Sequence, residues 1–278
     1  MKIDAEKGEG IELAKRYGVR GFPTILLVDK EGEEIDRIVG FRPPEKFYTE
    51  VDRIEKGPSL KSLKESISRN QDDLEACLAL GKKYVERDDF EKAEALFNKI
   101  LADGKASPIL RIQAEGQLAI AAFTKSRGKE VAALEKFFEA HAAGSEAVDH
   151  ARHLHYHYQR KKDFDKAIQT GEYLIQHGPE KEQAEFFNNF AWFLATNGME
   201  VKKALRLARK AVELSPKSAH IIDTLAEALF RNGLYKEAVE TQKQAVALAS
   251  EQQKKQFEER LQGFEKELNE KGRRREKF

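Results

Sequence analysis

Between Ser218 and Ala249 the apolar positions fall into two helical stripes with a break between them. Leu225, Ala226 and Leu229 form the first, Asn232-Gly233 interrupts it, and Ala238, Val239, Ala245 and Val246 begin the second. The pattern predicts two short antiparallel helices around a turn. Ala226 and Ala238 stand where the axes must come close, because a larger side chain at either position would push the helices apart.

The same ruler, with steps of 1, 3, 4, 5 and 7 residues, fits other stretches. It matches Leu80, Gly81, Tyr84, Asp88, Ala93, Ile100; then Ile120, Ala121, Thr124, Gly128, Ala133, Ala140; then Leu154, His155, Tyr158, Lys162, Ala167, Leu174. A further copy, Phe190, Ala191, Leu194, Gly198, Ala204, Ala211, carries one extra residue after Gly198. Pro108, Pro179 and Pro216 fall near three of the expected ends. This arrangement resembles the tetratricopeptide repeat, whose helix pairs of about 34 residues place a small residue in each helix. The copy with Thr124 in place of a bulky apolar residue matches least well.

Residues 1–56 follow a different grammar. Lys2-Ile3-Asp4 is a strand candidate, Gly10 to Tyr17 an amphipathic helix, Thr24 to Val28 a continuous buried strand, Glu31-Gly32 a hairpin turn, Glu34 to Val39 an alternating strand and Pro44 to Ile54 a helix. Gly18-Val19-Arg20-Gly21-Phe22-Pro23-Thr24, followed by Arg37-Ile38-Val39-Gly40-Phe41, resembles the C-terminal part of the thioredoxin family. That resemblance implies a cis peptide bond before Pro23 and a peptide-binding loop at Phe22, Pro23 and Thr24. It also implies a CxxC motif on an earlier strand and helix, which these residues lack. Cys77 is the single cysteine, which excludes an intrachain disulfide and CxxC chemistry within the sequence. Without the CxxC-bearing strand, the Lys2–Asp4 strand is expected to have no neighbour and the strand containing Ile25 to present an unpaired apolar edge. The segment is then either part of a longer protein, with CxxC and a signal peptide upstream of Met1, or a remnant propped against the repeats.

The expected architecture is mainly α: a tetratricopeptide-type superhelix behind a truncated α/β thioredoxin-like segment. Its parts are residues 1–57, a linking helix within 58–73 carrying Leu60, Leu63 and Ile67, about five helix pairs over 74–250, and a capping helix with a basic tail over 251–278. Phe257, Leu261, Phe264 and Leu268 give the last helix one apolar face, suited to cap the array or, as an alternative, to bind a partner.

Composition adds limits. With 40% apolar and 35% charged residues the chain reads as soluble, and the formal charge of +1 gives no general case for nucleic acid. No apolar run reaches membrane-spanning length. MKIDAEKGEG has no signal-peptide core, and the compartment stays open between the cytoplasm and, with a signal upstream, the periplasm. The basic run Lys271, Arg273, Arg274, Arg275, Lys277 reads as a solvated end, with contact to a phosphate or an acidic partner as the alternative.

Cys77 reads as a small core residue rather than a redox thiol. His150, His153 and His157 share a helical face with metal-like spacing, but no further ligand is visible, so they read as a polar face and no metal or cofactor is expected. His155 occupies a place that is small in most other copies, which predicts local loosening of its pair. No phosphate loop, HExxH or nucleophile elbow is present, and no catalytic residue is assigned.

By the tetratricopeptide resemblance, the first helix of each pair lines a groove for an extended peptide. Its positions here are Arg152 and Tyr156, Asn188 and Trp192, Asp223 and Glu227. Trp192 either offers an indole beside an amide to a peptide backbone or packs between pairs. The carboxylate-gripping set of chaperone-binding relatives is not reproduced, as Leu78 and Trp192 illustrate. The function expected is a non-enzymatic interaction scaffold with a protein or peptide partner. The alternative is the C-terminal part of a thiol-disulfide oxidoreductase acting in cell redox homeostasis.

Overall fold

A computed structural model describes residues 2–41 and 44–275, without the side chains of 44–46 and 272–275. Most of the basic tail, from Arg273 to Lys277, therefore lies outside the described side chains. The chain divides into two compact units, Met1–Ala140 and His141–Phe278.

The first unit begins with α1 (Glu9–Arg16), β1 (Thr24–Val28), β2 (Glu34–Val39) and α2 (Pro44–Lys56). The strands pair antiparallel, Thr24 opposite Val39 and Ile25 opposite Ile38, with a register shift at Leu27/Val28. Asp29 builds the turn: its carboxylate accepts from the backbone N–H groups of Glu31 at 3.1 Å and Glu33 at 2.8 Å, while Gly32 takes φ +77°. Two sequence expectations are corrected here. Lys2–Asp4 is not a strand; among the described residues β1 pairs with β2 alone, so nothing offers Lys2–Asp4 a ladder, and Asp4 instead closes a turn by accepting from Glu6 N at 3.0 Å. Nor is β1 continuously buried: Ile25 and Val28 are exposed and no further strand among the described residues covers them, which is the unpaired apolar edge expected at Ile25.

β2 is the buried strand, and it lies against α3 (Leu60–Arg69). It carries charge into the contact. Asp36 is fully buried, bonded to Lys83 and, at 2.6 Å, to Arg87; Glu34 holds Arg37 at 2.5 Å and Arg87 at 3.1 Å. Burial pushes both carboxyls up, but the cations outweigh it and leave both below the usual carboxylate range. Lys83 and Arg87 belong to α4 (Leu74–Val85) and its end, so this network ties the strand to the first helical pair, α4 and α5 (Phe90–Ala102). Between those two helices Gly81 leaves room for the Phe97 ring, which a Cβ would strike. Cys77 is fully buried in the same core, among Phe97, Ile100 and Leu110, with burial raising its thiol pKa. Next come α6 (Pro108–Lys125), started by Pro108 behind its Ser107 cap and packed on α4 and α5, and α7 (Ala132–His141), which buries Leu134, Phe137 and Phe138.

The second unit stacks helical hairpins: α8 (Val148–Lys161) with α9 (Phe164–His177), α10 (Gln183–Thr196) with α11 (Val201–Leu214), and α12 (Ala219–Arg231) with α13 (Tyr235–Leu248). Helix α14 (Glu251–Arg275) packs on α13, burying Phe257 and Phe264, the latter stacked on Phe230 at 4.4 Å. Ala167, Ala191, Ala204, Ala211, Ala226, Ala238 and Ala245 have no exposed surface, the close approach that the ruler predicts.

The ruler has a backbone meaning as well. Its fourth position, Asp88, Gly128, Lys162, Gly198 and Gly233, takes positive φ in all five copies, from +57° to +77°. This left-handed residue is what ends the first helix and turns the chain back, a conformation that costs glycine little and other residues more. The extra residue after Gly198 adds a second such turn at Glu200, φ +37°.

Candidate functional site

Residues four apart share a helical face, so Arg152 and Tyr156 on α8, Asn188 and Trp192 on α10, and Asp223 and Glu227 on α12 each form one vertical pair. All six belong to the second unit. They differ sharply in access. Tyr156 is 49% exposed, Arg152 and Trp192 are half-buried, and Asn188, Asp223 and Glu227 are about 95% buried.

Side chains bridge the successive helices. The Tyr156 hydroxyl accepts from Asn189 Nδ2 at 3.2 Å, and Arg152 pairs with Glu182 at 2.8 Å while lying over the Phe186 ring at 5.3 Å. Asn188 Oδ1 is buried with no hydrogen-bond partner among the described residues.

The acidic end is not open as the sequence suggested. Arg260, from α14, lies between Asp223 at 3.3 Å and Glu227 at 3.7 Å, with its guanidinium over the Trp192 ring at 4.6 Å. Gln242 donates to Asp223 at 2.7 Å and Arg231 to Glu227 at 2.7 Å. Two buried carboxylates need such partners. Even so, burial pushes the Asp223 carboxyl above its ordinary value, against the pull of Arg260 and Gln242. Arg260 was not a sequence candidate. Its spacing places it on α14 beside Leu261, but nothing in the sequence tells which carboxylates the helix will meet.

His155 also differs from expectation. It does not loosen its pair: it is 2% exposed, Nδ1–H donates to the Ala167 carbonyl at 2.9 Å, and Nε2 lies 2.6 Å from the Gln159 amide. Phe190 and Phe193 meet it edge to face. Burial lowers its pKa to about 4, so the ring is neutral at pH 7. Burial likewise lowers His153, and His150 is buried; among the described residues no cluster of histidine, cysteine or carboxylates could hold a metal.

In the first unit the Phe22–Pro23 bond is cis. Phe22 is 62% exposed, the Pro23 carbonyl accepts from Gly40 N at 2.8 Å, and Thr24 Oγ1 donates to the Gly21 carbonyl at 2.7 Å. The loop is thus held by local hydrogen bonds while Phe22 faces solvent. No helix among the described residues is long and apolar enough to cross a membrane.

A family profile described as thioredoxin-like domain matches residues 4–55. Over 34 residues the chain is 50% identical to the SPbeta prophage-derived thioredoxin-like protein YosR of Bacillus subtilis (strain 168), spanning 12% of this chain and 42% of that protein's length. Among solved structures, yeast Tom70 aligns over 76% of this chain and 43% of its own, with 17% identity and a TM-score of 0.53. YrrB, described as a TPR protein with an unusual peptide-binding site, aligns over 68% of this chain and 93% of its own, with 16% identity and a TM-score of 0.50. At such identities the structural similarity speaks to fold alone. The chain joins a thioredoxin-like segment to tetratricopeptide-type helices.

Proposed function

We propose that this fusion of a thioredoxin-like segment with tetratricopeptide-type pairs is a protein-interaction scaffold, and that the face bearing Arg152, Tyr156, Asn188 and Trp192 takes an extended peptide from a partner. The observation that carries it is the unpartnered, buried Asn188 carbonyl beside a half-buried indole and an exposed phenol. A peptide N–H reaching Asn188 Oδ1 would satisfy that acceptor, and the two rings supply contact area with little entropy to lose. YrrB, which shares the fold, is described as having a peptide-binding site, which agrees with this use of the architecture. Asp223 and Glu227 serve on this reading as the anchorage of Arg260 at one end of the face rather than as direct ligand contacts.

The thioredoxin-like segment contributes an exposed Phe22 and a cis-proline loop as a second contact surface, without thiol chemistry of its own. Thiol-disulfide exchange requires a reactive thiolate and a resolving cysteine, and Cys77 is buried in a hydrocarbon core with its thiol pKa raised.

Screening displayed random peptides against the purified chain, then measuring the recovered peptides by Trp192 fluorescence, tests the reading. Tyr156→Ala with Trp192→Ala, followed by anisotropy of a labelled peptide, should weaken binding at least about tenfold, equivalent to about 1.4 kcal/mol. Peptides that bind the double variant as well as the parent would remove this face as the binding surface. A dithiothreitol-dependent insulin-reduction assay should show no turnover by this chain.

A further inference from the structure

We propose that the cleft between the thioredoxin-like segment and the first helical pair is an anion site for a small molecule carrying two or more phosphate groups. The cleft encloses about 400 Å³ within the first unit, a volume suited to a small ligand. Its rim gathers cations from separate elements: Lys15 and Arg16 at the end of α1, Arg20 in the loop after it, Lys64 on α3 and Lys92 on α5. They are far apart in sequence and are brought together by the fold.

The charges on this rim are poorly balanced. Arg16 has Glu33 at 4.0 Å, with both side chains exposed, and Lys92 has Asp89 at 2.6 Å. Arg20 donates to the Asp88 carbonyl at 2.7 Å, which orients it without neutralising it. Lys15 and Lys64 make no ion pair among the described residues. Glu34, the remaining acid of the lining, is spent on Arg37 and Arg87. Five rim cations thus face two rim acids in a chain whose formal charge is +1 overall, so the excess is local rather than compositional. A helix C-terminus favours cations, which accounts for Lys15 and Arg16. It does not account for Lys64 and Lys92, which come from other helices.

A cleft lined by one sign of charge concentrates its field on the counter-ion. Guanidinium groups bind phosphate through paired N–H donors, and several dispersed cations reward an anion with more than one charged group. A nucleic acid would need a basic track extending beyond the cleft, and the near-neutral charge of the chain gives no support for one.

Calorimetric titration of the full chain with inorganic pyrophosphate at low ionic strength tests the assignment. Saturable binding at one site is expected, tighter than for orthophosphate and weakened by salt. Lys15→Ala with Lys64→Ala, both exposed positions, should weaken it about tenfold, whereas Lys236→Ala with Lys254→Ala, the same charge change in the other unit, should leave it unchanged. No saturation, or equal losses in the two variants, overturns the site. Citrate binding as tightly as pyrophosphate overturns the phosphate assignment, and a single-stranded RNA that binds more tightly and competes overturns the small-molecule assignment.

Discussion

Protonation of His155 is expected to destabilise the second unit from within. The ring is held neutral by burial among Phe190, Phe193 and the α9 backbone, with its pKa lowered to about 4. In the unfolded chain the ordinary value is about 6.5. Between these values the unfolded chain binds the proton and the folded chain does not, so stability rises with pH across the window. The contribution is complete above about pH 6.5 and is lost as pH falls toward 4. Linkage with these two values gives a loss of about 2 kcal/mol by pH 5 and about 3 kcal/mol at pH 4, relative to pH 7.5. Urea unfolding at pH 7.5 and pH 5, followed through Trp192, reports on this unit because the chain has no other tryptophan. His153, whose pKa burial also lowers, and Asp223, whose pKa burial raises, add pH dependence of their own. The comparison is therefore with His155→Ala: the pH 7.5 to pH 5 difference should be about 2 kcal/mol smaller in the variant. NMR titration of the imidazole should place its midpoint near 4. A midpoint near 6.5, or equal pH dependence in the two proteins, would show that the ring is not held as described.

Three other outcomes follow from the same geometry. Lys162→Gly relieves a left-handed turn at φ +60° and should stabilise the second unit by up to about 1 kcal/mol, read as a higher urea midpoint; a lower midpoint would reject the turn assignment. Asp36→Ala leaves Lys83 without its buried partner and Arg87 with Glu34 alone and should cost about 3 kcal/mol, with faster proteolysis of the segment before α3; unchanged protection would mean that the network does not hold β2. Arg260→Ala removes the cation from the Trp192 face and one partner from Asp223, so the indole emission should change and stability at pH 7 should fall by about 2 kcal/mol. Unaltered emission would place Arg260 elsewhere.

The repeating pairs were legible in the sequence because their determinants are local and recur. Ala226 and Ala238 mark close approach, and the position shared by Gly233, Gly198 and Lys162 marks the left-handed turn, whichever residue stands there. The hairpin from Thr24 to Val39 was legible for the same reason, through the Glu31-Gly32 turn that the Asp29 carboxylate then closes. Lys2–Asp4 keeps its strand propensity without forming a strand, because a ladder needs the neighbour whose absence the sequence already implied. His155 was misread because a large polar ring at a small position looks like a defect until the Ala167 carbonyl across the hairpin is known to accept a hydrogen bond from its Nδ1–H.

The candidate faces divide along the same line. Helical period alone aligned Arg152 with Tyr156, Asn188 with Trp192 and Asp223 with Glu227, since residues four apart must share a face. Their access, and the partners they meet, depended on side chains far along the chain: Arg260 on α14 for Asp223, Glu227 and Trp192, and Lys83 with Arg87 for the acids of β2. Periodicity is a property of one segment, whereas charge compensation in a low-dielectric interior is a property of whatever several segments bring together, and that was decided only when the chain folded.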